Sequence, residues 1–154
     1  ISGVYLEQLY TFGKPDRDPR ERVITVSYYS LVPIDRLTVG AASDARELGW
    51  FDIEELPQLA FDHKKIISTA KQRLTAKLDY STIGLQFMPC KFTLSELQRV
   101  YEIIHGESLD KRNFRKRVMA FGCMDDTGEV RRNGSHRPAR LYTLKSPGQV
   151  EFIK

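Results

Sequence analysis

The stretch TLSELQRVYEIIHGESLDKRNFRKRVMAFG, residues 93–122, decides the fold. Thr93-Leu94-Ser95-Glu96 has capping-box spacing: the Thr93 hydroxyl can meet an orphan amide while Glu96 reaches back to the cap. Leu94, Leu97, Tyr101 and Ile104 then fall on one helical face, and Gly106 supplies the stop. After the short turn Glu107-Ser108-Leu109 a second helix opens at Asp110. Phe114, Val118 and Phe121 recur on it at the spacing of a buried stripe, and Gly122 ends it.

At about 100° per residue, Arg112, Arg115 and Lys116 lie away from Phe114, with Asn113 on a flank. A helix buried by three apolar residues and presenting Arg, Lys and Asn outward suits the major groove. Arginine bonds bidentately to guanine and asparagine to adenine, while other cations meet phosphate.

Downstream, Cys123–Val130 and Ala139–Leu144 are expected to pair as strands. The connection Arg131-Arg132-Asn133-Gly134-Ser135-His136-Arg137-Pro138 contains Asn-Gly, a hairpin signal. A basic hairpin after a basic helix makes a wing that follows phosphates or enters the minor groove. The candidate DNA contacts are therefore Thr93, Ser95, Lys111, Arg112, Asn113, Arg115, Lys116, Arg131, Arg132, His136, Arg137 and Arg140. Each feature alone also fits a solvated basic surface; their order along the chain makes the pattern specific.

Upstream, Val4–Phe12 reads as a strand, and the proline-broken loop Gly13–Arg20 follows it. Arg22–Val32 is rich in β-branched and aromatic residues, the composition of a strand covered on both faces. Glu47-Leu48-Gly49-Trp50-Phe51 is expected to be a further short strand. Asp52-Ile53-Glu54-Glu55 has capping-box spacing for a short helix ended by Pro57. Asp62 is placed as the cap of a longer helix from His63 to about Leu78, with Ile66, Ile67, Ala70 and Leu74 as its stripe. Asp79–Thr82 is its exit, and Ile83–Cys90 reads as a link between halves.

Charge divides at that link. Residues 1–89 carry 11 Lys and Arg against 12 Asp and Glu, whereas residues 90–154 carry 13 against 8. The second half alone is basic enough to suggest a polyanion partner. No apolar run approaches the roughly 20 residues of a membrane span and nothing resembles a signal peptide, so a cytoplasmic protein with no membrane partner is expected. Cys90 and Cys123 match no zinc spacing and read as packing residues; no metal or cofactor is expected. The chain opens at Ile1 directly into a strand-like run and is expected to begin inside a domain.

Lys91–Gln98, Leu109–Lys116 and His136–Tyr142 resemble the C-terminal module of the NrtR family of Nudix-related transcriptional regulators. Tyr5–Gly13, Asp16–Pro19, Trp50-Phe51 and Leu59–His63 resemble the later part of that family's Nudix domain. The resemblance implies an α+β protein: a partial Nudix-like α/β/α domain over residues 1–82, then a winged helix-turn-helix domain over 83–154. It implies a homodimeric regulator, expected to be a repressor, on a palindromic duplex operator. The implied effector is ADP-ribose or a sugar or nucleotide metabolite.

The family's Gly-rich box with its metal-binding glutamates is absent; Arg46-Glu47-Leu48 has no second acidic pair after it and is read as coincidence. The box is expected just before Ile1, and without it metal-assisted hydrolysis has no ligands here, so no catalytic residue is assigned. The alternative is a Nudix hydrolase of nucleotide-sugar diphosphates whose box lies upstream. A nonspecific nucleic-acid binder is a further alternative. Arg17, Asp18, Arg20 and Arg22 are the candidate effector contacts, since guanidinium forks suit phosphate. The competing reading is a mixed-charge loop that pairs internally. His63 is expected to be structural, Tyr28 and Tyr29 to be core or dimer contacts, and His105 has no assigned role.

Overall fold

The computed structural model describes residues 4–33, 49–132 and 138–153. Two antiparallel hairpins flank three helices. β1 (Tyr5–Phe12) pairs with β2 (Thr25–Leu31), from Tyr5 opposite Leu31 to Phe12 opposite Thr25, with a bulge between Gln8 and Tyr10. Tyr5, Glu7 and Leu9 turn towards α1 (His63–Tyr80), while Leu6, Tyr10, Ile24, Val26 and Tyr28 are exposed. The expectation that 22–32 is covered on both faces therefore fails among the described residues: α1 packs on one face only.

Gly49–Phe51 forms no strand, and Trp50 and Phe51 are exposed; Glu47 and Leu48, like Arg46, lie outside the described residues. Asp52–Glu55 is a turn rather than a helix. Asp52 Oδ1 accepts from the Glu54 amide (2.9 Å), and the Asp52 carbonyl accepts from Glu55 (3.1 Å). Pro57 leaves room for barely one turn, too little to repay helix nucleation.

α1 begins after Asp62 as expected, but the Asp62 side chain makes no capping bond. Arg17 holds that carboxylate from the other side, through Nε (2.9 Å) and Nη2 (2.7 Å). The stripe Ile66, Ile67, Ala70 and Leu74 is half-buried, and Leu78 is fully buried.

The segment read as a link is core. Ile83–Phe87 is a 3₁₀ helix in which Ile83, Gly84 and Leu85 are buried. Gly84 lies so close to its neighbours that a Cβ there would sit 2.3 Å from Tyr101 Cε2 and 2.9 Å from Leu78 Cδ2. One apolar cluster runs from Leu31 and Leu78 through Ile83 and Leu85 to Phe92, Leu97, Tyr101 and Phe114. It passes continuously across the expected 82/83 boundary.

α2 (Leu94–His105) starts with the complete capping box, and Gly106 closes it in the left-handed conformation (φ 76°). α3 (Lys111–Ala120) is capped by Asp110, whose carboxylate accepts from the Asn113 amide (2.8 Å). The turn between them is pinned by Glu102 Oε1, which accepts from the Leu109 amide (3.0 Å) and from Gln98 Nε2 (2.9 Å). Tyr101 meets Phe114 edge-on at 5.2 Å, locking α2 to α3.

β3 (Met124–Arg131) and β4 (Ala139–Leu144) form the second hairpin, irregular between Asp126 and Val130, where Gly128 takes φ 73°. Phe92 and Tyr142 exchange both backbone bonds (3.0 and 2.8 Å), which fastens this hairpin to the start of α2. Among the described residues no helix is long and apolar enough to cross a membrane.

Candidate nucleic-acid interface

Burial of Phe114 and Val118 fixes the rotation of α3 and leaves Lys111, Arg112, Asn113, Arg115 and Lys116 exposed together. Ser95, exposed in the first turn of α2, is beside them: Arg115 Nη2 lies 3.4 Å from Ser95 Oγ. Thr93 stands apart from this group. It is buried, and its hydroxyl is engaged with the Glu96 amide (3.2 Å) and carboxylate (3.0 Å).

The wing residues divide by what holds them. Arg131 Nη1 donates to Glu96 Oε1 (2.6 Å) and Nη2 to the Lys91 carbonyl (3.1 Å). Because Glu96 Oε2 also accepts from the Thr93 amide (2.7 Å), one carboxylate joins the cap of α2 to the root of the wing. Lys91 in turn pairs with Glu129 (2.6 Å). Arg140 is paired with Asp126 (2.7 Å), whose carboxyl is held below its ordinary range by the Gly128 amide and then by Arg140. Arg132 is exposed. His136 and Arg137 lie outside the described residues.

The loop between β1 and β2 is organised from within. Arg17 is buried and meets Asp62 bidentately and Thr25 Oγ1 (2.6 Å). Arg20 grips Asp18 through Nε (3.0 Å) and Nη2 (2.8 Å) and lies 4.7 Å from the Phe61 ring centroid. That grip, with the Arg20 amide, holds the Asp18 carboxyl down at about 2. Arg22 is exposed. Three of the four candidate effector contacts thus have intrachain partners, as the mixed-charge reading of this loop anticipated.

Two constellations were not foreseen. Glu7 Oε2 accepts from Lys77 Nζ (2.6 Å), from Tyr29 OH (2.6 Å) and from Tyr5 OH. Burial works to raise the Glu7 carboxyl, but these bonds outweigh it and hold it below its ordinary value. Arg117 Nη2 donates to the carbonyls of Leu78 (2.6 Å) and Asp79 (3.0 Å). A signal for Arg117 was available: it stands three residues after Phe114, on the flank of the buried stripe rather than opposite it.

Comparison with known proteins agrees with this architecture. Residues 84–144 match the family described as the NrtR DNA-binding winged helix domain. Over 144 residues, 92% of the chain, the sequence is 36% identical to the ADPR responsive transcriptional repressor NtrR of Acinetobacter baylyi. The chain spans 57% of that protein's length. A 59-residue stretch, 38% of the chain, is 46% identical to an ADP-ribose pyrophosphatase of Methanocaldococcus jannaschii and covers 34% of it.

The crystal structure of Shewanella oneidensis NrtR superposes with a TM-score of 0.78 at 33% identity, covering 97% of this chain and 68% of that one. The same protein complexed with a 27mer DNA gives 0.81 at 38% identity, covering 92% and 65%. A MutT/nudix family protein from Enterococcus faecalis gives 0.69 at 30% identity, covering 92% and 62%. The fold is thus an α+β one in which a Nudix-like hairpin and helix lead into a winged helix. The chain belongs to the NrtR family.

Proposed function

We propose that the chain is part of an ADP-ribose-responsive transcriptional repressor: residues 1–82 contribute to effector sensing and residues 83–154 bind duplex DNA. The observation that carries this reading is the cationic face of α3, with Arg112, Asn113, Arg115 and Lys116 held outward by the buried Phe114 and Val118. A base-reading helix needs this arrangement, with arginine forks and an amide on a rigidly seated face. To Ser95 and Lys111 at the helix starts, and to Arg132 in the wing, this reading assigns phosphate contacts, which their exposure supports. Arg131 and Arg140 instead shape the wing.

The effector reading draws support from the Acinetobacter baylyi relative, named for its response to ADPR, and from the pyrophosphatase similarity. Arg22 is the loop cation presented to an effector phosphate, while Arg17, Asp18 and Arg20 maintain the loop's shape. The protein acts in the cytoplasm as a homodimer on a palindromic operator, and regulates without hydrolysing its effector. The similarity to a pyrophosphatase also favours a second reading, hydrolysis of ADP-ribose.

Selection of sites from a random duplex pool at near-physiological salt, followed by ADP-ribose titration on the selected duplex, tests both readings. A palindrome with half-sites about one helical turn apart, bound with an affinity that ADP-ribose changes, is expected. Arg112→Ala or Arg115→Ala then costs about 1–3 kcal/mol wherever that side chain makes a bidentate base contact. No enriched sequence, with Mg²⁺-dependent loss of ADP-ribose on incubation, overturns the repressor reading in favour of the hydrolase.

A further inference from the structure

The carboxyl end of α1 is where the two halves of the chain are tied. The last four carbonyls of a helix have no partner within it. Here each finds one outside: Lys77 from Ser81 Oγ (2.6 Å), Leu78 and Asp79 from Arg117 Nη2 (2.6 and 3.0 Å), and Tyr80 from the Ile153 amide (2.8 Å). Among the described residues, Arg117 is the α3 side chain that hydrogen-bonds α1. Its cation faces the negative end of the α1 dipole. Its guanidinium carbon lies 6.0 Å from the ring centroid of Tyr101, which packs on Phe114 of the same helix.

Immediately before Leu78 on α1, Lys77 grips Glu7 of β1 at 2.6 Å. Within three residues, α1 is therefore held backwards to the hairpin of the Nudix-like half and forwards to α3. A displacement of α1 leaves both sets of bonds intact only if β1 and α3 follow it; if α3 stays, Arg117 must let go.

We infer that Arg117 is the positioning residue that couples the Nudix-like half to the DNA-reading face. It contacts no base itself; it fixes α3 against the end of α1, so that an effector-driven shift of α1 reorients Arg112, Asn113, Arg115 and Lys116. This rests on the proposed ADP-ribose response and names the contact that transmits it.

The test uses the protein as its gene encodes it, the selected operator duplex, and ADP-ribose as probe. Operator affinity is measured by fluorescence anisotropy with and without ADP-ribose, and ADP-ribose affinity by calorimetry. Coupling between two sites commonly changes affinity about 5–150-fold. In Arg117→Gln, ADP-ribose binding stays within about twofold of the parent, whereas the effector-induced change in operator affinity shrinks to under about twofold. Both carbonyls are met by the one nitrogen Nη2, so Arg117→Lys keeps the charge and the donors on a shorter side chain, recovers part of the change, and decides the matter if the glutamine variant folds poorly. A merely structural role lowers the melting temperature and leaves the effector-induced ratio alone. Retention of the parent's full ratio in the folded variants overturns the inference. A parent whose operator affinity does not respond to ADP-ribose overturns the proposed function, and this inference with it.

Discussion

Neighbouring arginines in the wing root are expected to behave oppositely towards salt. Arg131 already has an anion: Glu96 at 2.6 Å, with the Lys91 carbonyl at 3.1 Å. Arg132, the next residue, is exposed. A protein cation that neutralises a phosphate releases counterions and adds about 0.9 to the slope of log K against log salt. Arg132→Ala should make that slope shallower by about 0.9, so a fourfold rise in salt weakens the variant about 3.5-fold less than the parent.

Arg131→Ala should leave the slope within about 0.3, because its charge meets Glu96 before and after binding. Its effect belongs to folding instead. The Arg131 and Glu96 side chains are 37% and 43% exposed, so their pair contributes at most about 1 kcal/mol, and the bond to the Lys91 carbonyl, also solvent-accessible, adds little. Anisotropy on the selected operator from low to physiological salt, alongside urea unfolding, reads both quantities. Glu96→Gln keeps a cap acceptor but removes the anion, and should steepen the slope by freeing Arg131 for phosphate. If Arg131→Ala itself flattens the slope by about 0.9, Arg131 exchanges Glu96 for DNA, and the assignment as a strut is wrong.

Gly84→Ala forces a methyl group into Tyr101 and Leu78, with separations of 2.3 and 2.9 Å before relaxation, and should cost about 1–3 kcal/mol by urea midpoint; an unchanged midpoint would mean the junction is loosely packed. Lys77→Met leaves Glu7 beside two tyrosines with only the more distant Arg73 (3.9 Å) as a cation, and should cost about 2 kcal/mol near neutral pH, below the usual range for a fully buried pair because Glu7 is 24% exposed and keeps that second partner. Glu7's lowered carboxyl means this contribution is present above its ordinary value of 4.5 and fades as pH falls through the folded value, so the variant's acid limb should be flatter. The Asp18 carboxyl should titrate near pH 2 by carbon NMR rather than at 3.8, and Arg20→Ala should return it towards 3.8; a parent midpoint at 3.8 would show that the loop pairing does not persist in solution.

The winged-helix half was legible because its signals are local. Thr93 and Glu96 are three residues apart, Gly106 directly follows α2, and Phe114 and Val118 share a face by helical period alone. Ile83–Phe87 was misread because a five-residue run, four of them buried, followed by Met88 and Pro89 carries no period; only the facing Tyr101 and Leu78 show why Gly84 is there. The Asp52 and Asp62 signals each attracted an aspartate to the right place but gave the wrong partner. Asp52 closes a turn, and Asp62 faces a guanidinium 45 residues upstream.

The pairing of the candidate cations was hidden for the same reason except at Arg20: Arg17, Arg131 and Arg140 meet acids 45, 35 and 14 residues away, whereas Asp18 is two residues from Arg20. In sequence, Arg17, Arg20, Arg131 and Arg140 are indistinguishable from Arg22, Arg112 and Arg132: all are arginines near turns or on polar faces. The fold separates them by supplying an acid to the first group, from Asp62, Asp18, Glu96 and Asp126 respectively. A cation already satisfied at 2.6–2.8 Å gains little from a phosphate, since it must first give up a charge-assisted bond of similar strength. The number of arginines in the wing therefore overstates the unneutralised charge that its described residues present, whereas Lys111, Arg112, Arg115 and Lys116 of α3 are all exposed.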